Sequence, residues 1–215
     1  MIAKLRIKPD EQRMRLSCIP WKAYVAFCDA VGEQRFRVTY DQGELEVMSL
    51  SPEHEKEKKL LGRFVDTLTE EMEIEISSFG SMTGRNEEML RGLEPDECYW
   101  IQHEFLVRGR KHIDLDRDPP PDLSLEIEIS RSALDRMSIY AALKVGEVWR
   151  WDGEALTVHL LSARGTYRVT KRGKAFPFLP MNDLAAFLKR TDLSETKLIR
   201  AFRAWVHENK DKWIK

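Results

Sequence analysis

The chain has 215 residues, of which 42% are hydrophobic and 33% charged, and its formal net charge is -1. This composition excludes a disordered chain, no apolar run approaches membrane-spanning length, and we expect one globular domain over residues 1–215. Residues 1–4 do not open a signal-peptide pattern, and Cys18, Cys28 and Cys98 have no CxxC spacing. We therefore expect no disulfide, no zinc site and a cytoplasmic protein.

The first predicted elements are a helix and a hairpin. The pattern predicts a helix over 20–31, with proline at its start, and two strands over 35–40 and 44–48 around a glycine turn. Ser51 then starts the clearest helix, because apolar side chains repeat at helical spacing after it. That apolar stripe consists of Leu60, Leu61, Phe64, Val65, Leu68 and Met72.

The rest of the chain contains strand patterns and helical patterns in turn. A stretch of turns over 80–92 separates the first two predicted strands. The predicted strands cover residues 74–79, 98–101, 123–129, 147–151, 156–161 and 166–170. The predicted helices cover residues 132–143 and, in a C-terminal helical extension, 181–212. Apolar residues at helical spacing in that extension predict that it packs on a core.

Acidic residues cluster on the predicted strand over 123–129, where apolar and polar residues alternate. Glu126 and Glu128 therefore point to the same face, and Asp96 lies just before the strand over 98–101. If the two strands pair, the three carboxylates converge, and their repulsion is costly unless a cation offsets it. This pattern predicts a site for a hard metal ion. The alternative is an edge strand with one solvated, charged face.

A second charged feature is basic. It consists of Arg164, Arg168, Lys171, Arg172 and Lys174, with no acid between them. Such a segment suits contacts with the phosphates of a nucleic acid, and it is equally typical of solvated surface.

The order of elements from residue 51 onward, with acids before one strand and on the next, resembles the PD-(D/E)XK nuclease superfamily. More closely, the chain resembles the Uma-two type of restriction endonucleases. The matching segments are residues 40–48, 51–55, 94–101, 120–126, 139–143 and 147–152. The resemblance implies an α/β fold with a restriction-endonuclease-like core over 20–172. In that core a central mixed sheet is flanked by helices, with an N-terminal helix-hairpin before it and the helical extension after it.

By position, the resemblance makes Asp96 the first acid of the nuclease motif and Glu126 the second. The motif then requires lysine two residues after Glu126, where this chain has Glu128. In the family, the following helix supplies the replacement four residues before a tyrosine that is here Tyr140. That position is Arg136, which carries a fixed positive charge and is effectively never a base at neutral pH.

The activity that the resemblance implies is metal-dependent endonuclease cleavage of nucleic acid, with DNA favoured and a homodimer expected by analogy. Asp96, Glu126 and Glu128 would bind one or two Mg²⁺ or Mn²⁺ ions, and Arg136 would complete the catalytic set. Glu44 and His54 match family positions at the border of the pocket. We expect His54 instead to cap its helix or to lie at the surface.

Two other functions remain open. The missing lysine favours a nuclease fold that has lost catalysis and serves as a nucleic-acid-binding or regulatory module. The C-terminal helix with Trp205 and Trp213 favours a protein-interaction module instead, if these side chains form a partner surface.

Overall fold

The computed structural model describes residues 11–31, 36–115, 117–130 and 132–213. Residues 1–4, which concern the signal-peptide prediction, and residue 35, the first of a predicted strand, lie outside these ranges. The strands are β1 (Arg13–Leu16), β2 (Phe36–Asp41), β3 (Glu44–Ser49), β4 (Ser77–Ser78), β5 (Gly84–Asn86), β6 (Arg91–Leu93), β7 (Glu97–Trp100), β8 (Leu123–Ile127), β9 (Glu147–Trp151), β10 (Leu156–Leu161) and β11 (Tyr167–Thr170). The helices are α1 (Trp21–Val31), α2 (Pro52–Met72), α3 (Glu104–Val107), α4 (Arg136–Ala142), α5 (Met181–Leu188) and α6 (Glu195–Trp213).

The strands form two sheets. One is antiparallel, in the order β1-β3-β2-β6-β5, and contains the predicted hairpin. The other has the order β11-β10-β9-β8-β7-β4 and is mixed, because β8 and β9 run parallel whereas the remaining pairs are antiparallel. A mixed sheet with flanking helices, preceded by a helix-hairpin and followed by α5 and α6, confirms the predicted fold class.

Helix α2 carries the main core against the mixed sheet. Its N-cap is Ser51, whose hydroxyl accepts a hydrogen bond from the main-chain amide of His54 at 3.1 Å, as its sequence predicts. Phe64 of the predicted stripe is fully buried and packs on Phe202 of α6, with ring centroids 4.6 Å apart. Each large apolar side chain buried in this way stabilises the fold by about 1.5–3 kcal/mol.

The tryptophans of α6 do not form an exposed partner surface. Trp205 and Trp213 are partly buried, pack against the main core, and lie with ring centroids 5.0 Å apart. Trp213 also stacks on Phe178. The interaction-module alternative therefore loses the surface on which it rested, because these rings cover the core of their own chain.

The strand with the two acids differs from its prediction. β8 lies between β7 and β9, and all five of its residues are buried, so the edge-strand alternative is wrong. Regular pairing ends at Ile127 rather than at residue 129. Alternation of polar and apolar residues left a solvated face as the alternative, but Glu126 on the polar face of β8 is bonded by Arg136 and Tyr140 of α4.

Several short elements also differ from prediction. The predicted strand over 74–79 reduces to Ser77–Ser78, and the stretch predicted as turns contains β5 and β6. β1 and α3 carry too little apolar periodicity to be predicted. Helix α4 begins at Arg136 rather than at residue 132, because Asp135 caps it by accepting a hydrogen bond from Ser138 at 3.3 Å.

One buried carboxylate fastens the segment after β11 to the mixed sheet. Glu147, which is 1% exposed, accepts hydrogen bonds from the main-chain amides of Lys174 at 2.5 Å and Ala175 at 3.0 Å. Gly173 passes so close that a β-carbon there would lie 2.1 Å from the Glu147 carboxylate. Only glycine therefore fits at this position without displacing the carboxylate from its donors.

Gly173→Ala is expected to lower the free energy of unfolding by about 2–3 kcal/mol, because overpacking pushes Glu147 away from its donors. Gly146→Ala is the control, since a β-carbon there meets nothing nearer than 3.5 Å. Urea denaturation of both variants measures the difference. Equal stability of the two variants would contradict the packing explanation.

Candidate functional site

Two of the predicted acids lie on adjoining strands of the mixed sheet. β7 and β8 pair antiparallel with Glu97 opposite Leu125, so Asp96, one residue before β7, lies across from Glu126. The main-chain amide of Asp96 donates to the carbonyl of Leu125 at 3.1 Å and so continues the ladder. The structure thus brings Asp96 and Glu126 together, as the sequence predicts.

Asp96 is 2% exposed and surrounded by donors. Its Oδ1 accepts hydrogen bonds from Arg37 Nη2 at 2.8 Å, from Arg37 Nε at 3.1 Å and from His54 Nε2 at 2.7 Å. Its Oδ2 accepts from the amide of Ile127 at 2.7 Å. Burial by itself raises the pKa of Asp96, but His54, Arg37 and the Ile127 amide outweigh it and hold that pKa below its usual range.

His54 connects Asp96 to the segment before β1. Its ring is 1% exposed, with Nδ1 2.6 Å from Glu11 Oε1 and Nε2 2.7 Å from Asp96 Oδ1. Burial lowers the pKa of His54, whereas the two carboxylates raise it more strongly, to about 9. The imidazole is therefore a buried cation at neutral pH. Its amide takes part in the predicted cap, but the expectation of a surface side chain is wrong.

Glu126 forms a second buried ion pair. The carboxylate lies 2.6 Å from Arg136 Nε, accepts a hydrogen bond from Arg136 Nη2 at 2.9 Å, and accepts another from the Tyr140 hydroxyl at 2.6 Å. Burial and then the charge of Glu126 raise the pKa of Tyr140 well above its usual value, so the phenol stays a neutral donor. The sequence did not indicate this bond between Tyr140 and Glu126.

Arg136 is held on several sides. Besides Glu126, it donates to the hydroxyl of Thr39 and, at 2.9 Å, to the carbonyl of Glu94 just before Asp96. Its side chain is 10% exposed. Burial alone lowers the pKa of Arg136, but Glu126 and Tyr140 raise it above the usual arginine value. The guanidinium is thus a fixed charge at the place where the sequence predicts a substitute for the motif lysine.

Glu128 lies just beyond β8 and pairs with a different cation. Its carboxylate contacts the guanidinium of Arg150 on β9, where Arg150 stands opposite Glu126 in the parallel register. A cavity of about 370 Å³ opens here and is lined by Glu126, Glu128, Arg136 and Arg150, with residues 132–135 and 137 as its other wall. Asp96 is not among the residues that line this cavity.

The N-terminal hairpin contributes a further acid, Glu46, that the sequence did not single out. Glu46 is 2% exposed and accepts hydrogen bonds from the hydroxyl of Ser132 at 2.7 Å and the amide of Ala133 at 3.0 Å. It stands opposite Thr39 on β2, and Arg37 shares that face. The alternation of polar residues on both strands was the available signal for this buried polar face.

Every carboxylate of this network has a cationic partner, so the predicted repulsion among unpaired acids is absent from the described contacts. Each carboxylate lies next to a cation, so the network as a whole is close to neutral. The pairs are Glu11 and Asp96 with His54, Asp96 with Arg37, Glu46 with Arg13, Glu126 with Arg136, and Glu128 with Arg150.

The resemblance implies a divalent cation at these acids. Among the described ranges, no group of three or more His, Cys, Asp or Glu side chains is arranged to hold a metal ion. Magnesium is commonly bound through one or two carboxylates, with water and phosphate oxygens as its other ligands. Glu126 and Glu128 fit that requirement, because both line the open cavity. Asp96 does not fit, because it is 2% exposed and is not among the residues that line the cavity.

The remaining predicted residues lie apart from this cavity. Glu44 pairs with Arg15 at 2.8 Å and accepts a hydrogen bond from Ser17, near the start of β3. These bonds lower the pKa of Glu44 and place it in a surface ion pair rather than beside Glu126. The basic segment lies on the β10–β11 hairpin and just after it, with all five of its Lys and Arg side chains exposed.

A mixed sheet flanked by helices, with Asp96 and Glu126 on adjoining strands, defines a restriction-endonuclease-like α/β protein. In the part of the chain that the structure describes, the helices lack the combined length and apolarity needed to cross a membrane. The family model named Uma2, with the description "Putative restriction endonuclease", matches residues 21–185. The chain therefore belongs to the Uma2 family, which confirms the resemblance. Comparison with curated proteins finds no match.

The buried His54 predicts a pH dependence of stability. Its pKa is about 9 in the folded chain and 6.5 in its ordinary state, so its stabilising effect is complete below pH 6.5 and is lost as the pH rises through 9. We expect the free energy of unfolding to fall by about 3 kcal/mol over that range. Urea denaturation at successive pH values measures it.

The matched variant is His54→Gln, which keeps a polar side chain without a titrating ring. Burial also raises the pKa of Cys98, to about 12. Because this thiol loses its proton near pH 8.5 only in the unfolded chain, it also lowers the free energy of unfolding above that pH. The difference between the two pH profiles therefore isolates His54. Parallel profiles for wild type and variant would show that His54 is not the buried cation described above.

Proposed function

We propose that the chain is a divalent-metal-dependent endonuclease that hydrolyses phosphodiester bonds of nucleic acid, with DNA as the expected substrate. The observation that carries this proposal is the cavity in which Glu126 and Glu128 lie beside Arg136 and Arg150. Carboxylates suit a metal ion and guanidinium groups suit phosphate oxygens, so one cavity offers ligands for both. Membership of a family described as restriction endonucleases supports the same chemistry.

Glu126 and Glu128 would hold one Mg²⁺ or Mn²⁺ ion in this site. When bound, such an ion supplies positive charge to a phosphate and lowers the pKa of a coordinated water. The two cavity carboxylates support a single ion more readily than the two that the resemblance allows. Arg136 and Arg150, which neutralise these carboxylates in the structure, would then be released in part to face the substrate.

Arg136 would bind a non-bridging phosphate oxygen. Its guanidinium is oriented by Thr39 and by the carbonyl of Glu94, so it needs little rearrangement to stay at the cavity wall. Because arginine does not lose its proton at neutral pH, Arg136 would stabilise charge and would not take a proton from water.

Asp96 would act as a positioning residue rather than as a metal ligand. Its Oδ2 holds the amide of Ile127, the residue between Glu126 and Glu128. Its Oδ1 is in turn fixed by Arg37 and His54. Asp96 thereby sets the direction in which both cavity acids leave the end of β8.

A specific observation also favours the second candidate, a non-catalytic nucleic-acid-binding module. Arg136 and Tyr140 already engage both oxygens of Glu126, and Glu128 occupies the position of the motif lysine. Such a site binds phosphate through Arg136 and Arg150 without cleaving it. Retention of two acids at the cavity is the reason that we place this candidate second.

The basic segment would provide the nucleic-acid-binding surface. β11 is an edge strand of the mixed sheet, and Arg168 on it is exposed, as are Lys171 and Arg172 just after it. Phosphate contacts from such a strand are independent of sequence. The cytoplasmic location and the homodimer stay predictions.

Purified wild type is expected to nick supercoiled plasmid in Mg²⁺ or Mn²⁺ and to stop when EDTA is added. Glu126→Gln should lower the rate at least about a hundredfold, because it removes a metal ligand and the partner of Arg136. Arg136→Ala should lower it by a similar factor, whereas Arg136→Lys, which keeps a positive charge, should retain activity within about tenfold of wild type.

The control is Glu53→Gln, an exposed acid in the first turn of α2, which should leave the rate unchanged. A thermal melt with and without Mn²⁺ reports metal binding separately, since an ion bound to the folded chain raises Tm. Oligonucleotide binding without cleavage in any metal would establish the second candidate. Cleavage that survives Glu126→Gln would place the site elsewhere.

The basic segment yields a separate expectation for binding. Reversing charge at Arg168 and Lys171 should weaken binding to any duplex oligonucleotide and flatten the slope of log affinity against log salt by about 2. The control reverses Lys197 and Arg200, two exposed cations on α6. If the slope changes equally in the two double variants, the effect comes from net charge rather than from this surface.

A further inference from the structure

The segment that carries β1 reaches the candidate site although it lies outside the part of the chain that the family model matches. That match covers residues 21–185, whereas β1 is Arg13–Leu16. β1 pairs antiparallel with β3, with Arg13 opposite Met48 and Arg15 opposite Glu46. This pairing adds an edge strand to the hairpin sheet and delivers Glu11 and Arg13 to the site.

Glu11 joins two separate elements. Its side chain is 1% exposed, and its Oε1 lies 2.6 Å from His54 Nδ1. Its Oε2 accepts a hydrogen bond from the amide of Ser130 at 3.1 Å and another from the Ser130 hydroxyl. One carboxylate thus connects the first turn of α2 with the chain just after Glu128.

Arg13 holds the same serine from the other side. Its Nη2 donates to the Ser130 carbonyl at 2.7 Å and its Nε to the Ser130 hydroxyl at 3.0 Å. Its Nη1 donates to Glu46 at 2.7 Å, and Glu46 binds Ser132 and Ala133. Between them, Glu11 and Arg13 therefore bond every polar group of Ser130, both main-chain and side-chain.

Ser130 belongs to the wall loop, which we define as residues 128–130 and 132–135. This loop contains Glu128, forms one wall of the cavity and leads directly into Arg136. Ordering the backbone of a loop costs conformational entropy. Its amide hydrogens therefore exchange with solvent quickly unless hydrogen-bond partners hold them. The partners that hold this loop are Glu11, Arg13 and Glu46, and the first two come from the β1 segment.

We propose that Glu11 and Arg13 are positioning residues of the cavity: they clamp Ser130, fix the wall loop and so place Glu128 and Arg136. The clamp itself rests on the described contacts, and only its effect on cleavage rests on the proposed function. The matched region by itself, residues 21–185, lacks this clamp. Of the three partners that hold the wall loop, the matched region contains only Glu46.

The test is hydrogen exchange of the full-length chain, read at the amides of Ser130, Ala133 and Leu134. Arg13→Ala and Glu11→Gln should each speed exchange there by at least about tenfold, since hydrogen bonds to charged groups are lost. Arg15→Ala is the matched control on the same strand and the same face, and its only described partner is the surface acid Glu44. It should leave these amides unchanged.

Arg13→Lys separates geometry from charge. A lysine keeps the positive charge beside Glu46, but it cannot reproduce the three-way guanidinium contact. We expect exchange in this variant to fall between wild type and Arg13→Ala. Circular dichroism of each variant verifies that it is folded. If exchange at the wall loop in Arg13→Ala and Glu11→Gln equals that in Arg15→Ala, the clamp is refuted.

The cleavage arm uses the same variants. Loss of the clamp should lower kcat about tenfold or more with KM changed less than about threefold, because the acids and Arg136 are displaced while the basic surface still binds substrate. A rise in KM alone would overturn the positioning role. Wild type that does not cleave would refute the proposed function, and the hydrogen-exchange result would still decide whether the clamp exists.

Discussion

Asp96 and Glu126 can lie buried across from each other in the mixed sheet only because each carboxylate has its own guanidinium. Removing one partner of a buried ion pair lowers stability by about 3–5 kcal/mol, because the other charge is left buried without compensation. Arg37 reaches Asp96 from the hairpin, and Arg136 reaches Glu126 from α4. The hairpin sheet and α4 are thus fixed against the mixed sheet by charge as well as by apolar packing. The cavity is lined by residues of β8, β9, α4 and the loop before α4.

The same pairing explains what the sequence could and could not predict. Local pattern was enough for α2 with its cap and stripe, for the hairpin and for the strands that carry the acids, because each is set by neighbours in the chain. The acids and Arg136 could be located by resemblance. Arg37, Glu11 and Glu46 could not, since their partners lie 59, 119 and 87 residues away in Asp96, Ser130 and Ala133. Alternation in β8 was misleading, because a polar face covered by cations has the same pattern as a solvated one.

An arginine at position 136 also changes how the site responds to its surroundings. A lysine in a buried position can lose its proton, whereas the guanidinium of Arg136 keeps its charge throughout the physiological range. The field that Glu126 experiences is therefore constant, and Tyr140 stays protonated beside it. His54 is the member of the described network whose charge changes within reach of ordinary buffers, through the pKa of about 9 that its two carboxylates give it. His54 contacts Asp96 and is not among the residues that line the cavity.

The pairing of Glu128 with Arg150 constrains how positions 128, 136 and 150 could change in this chain. A single change of Glu128 to lysine would place a second cation against Arg150, with Arg136 already beside Glu126. Like charges at such close range are destabilising. Replacing Glu128 with lysine therefore passes through a destabilised variant unless positions 128, 136 and 150 change in a suitable order. Substitutions at these three positions should be strongly epistatic, so that descendants inherit them as a set.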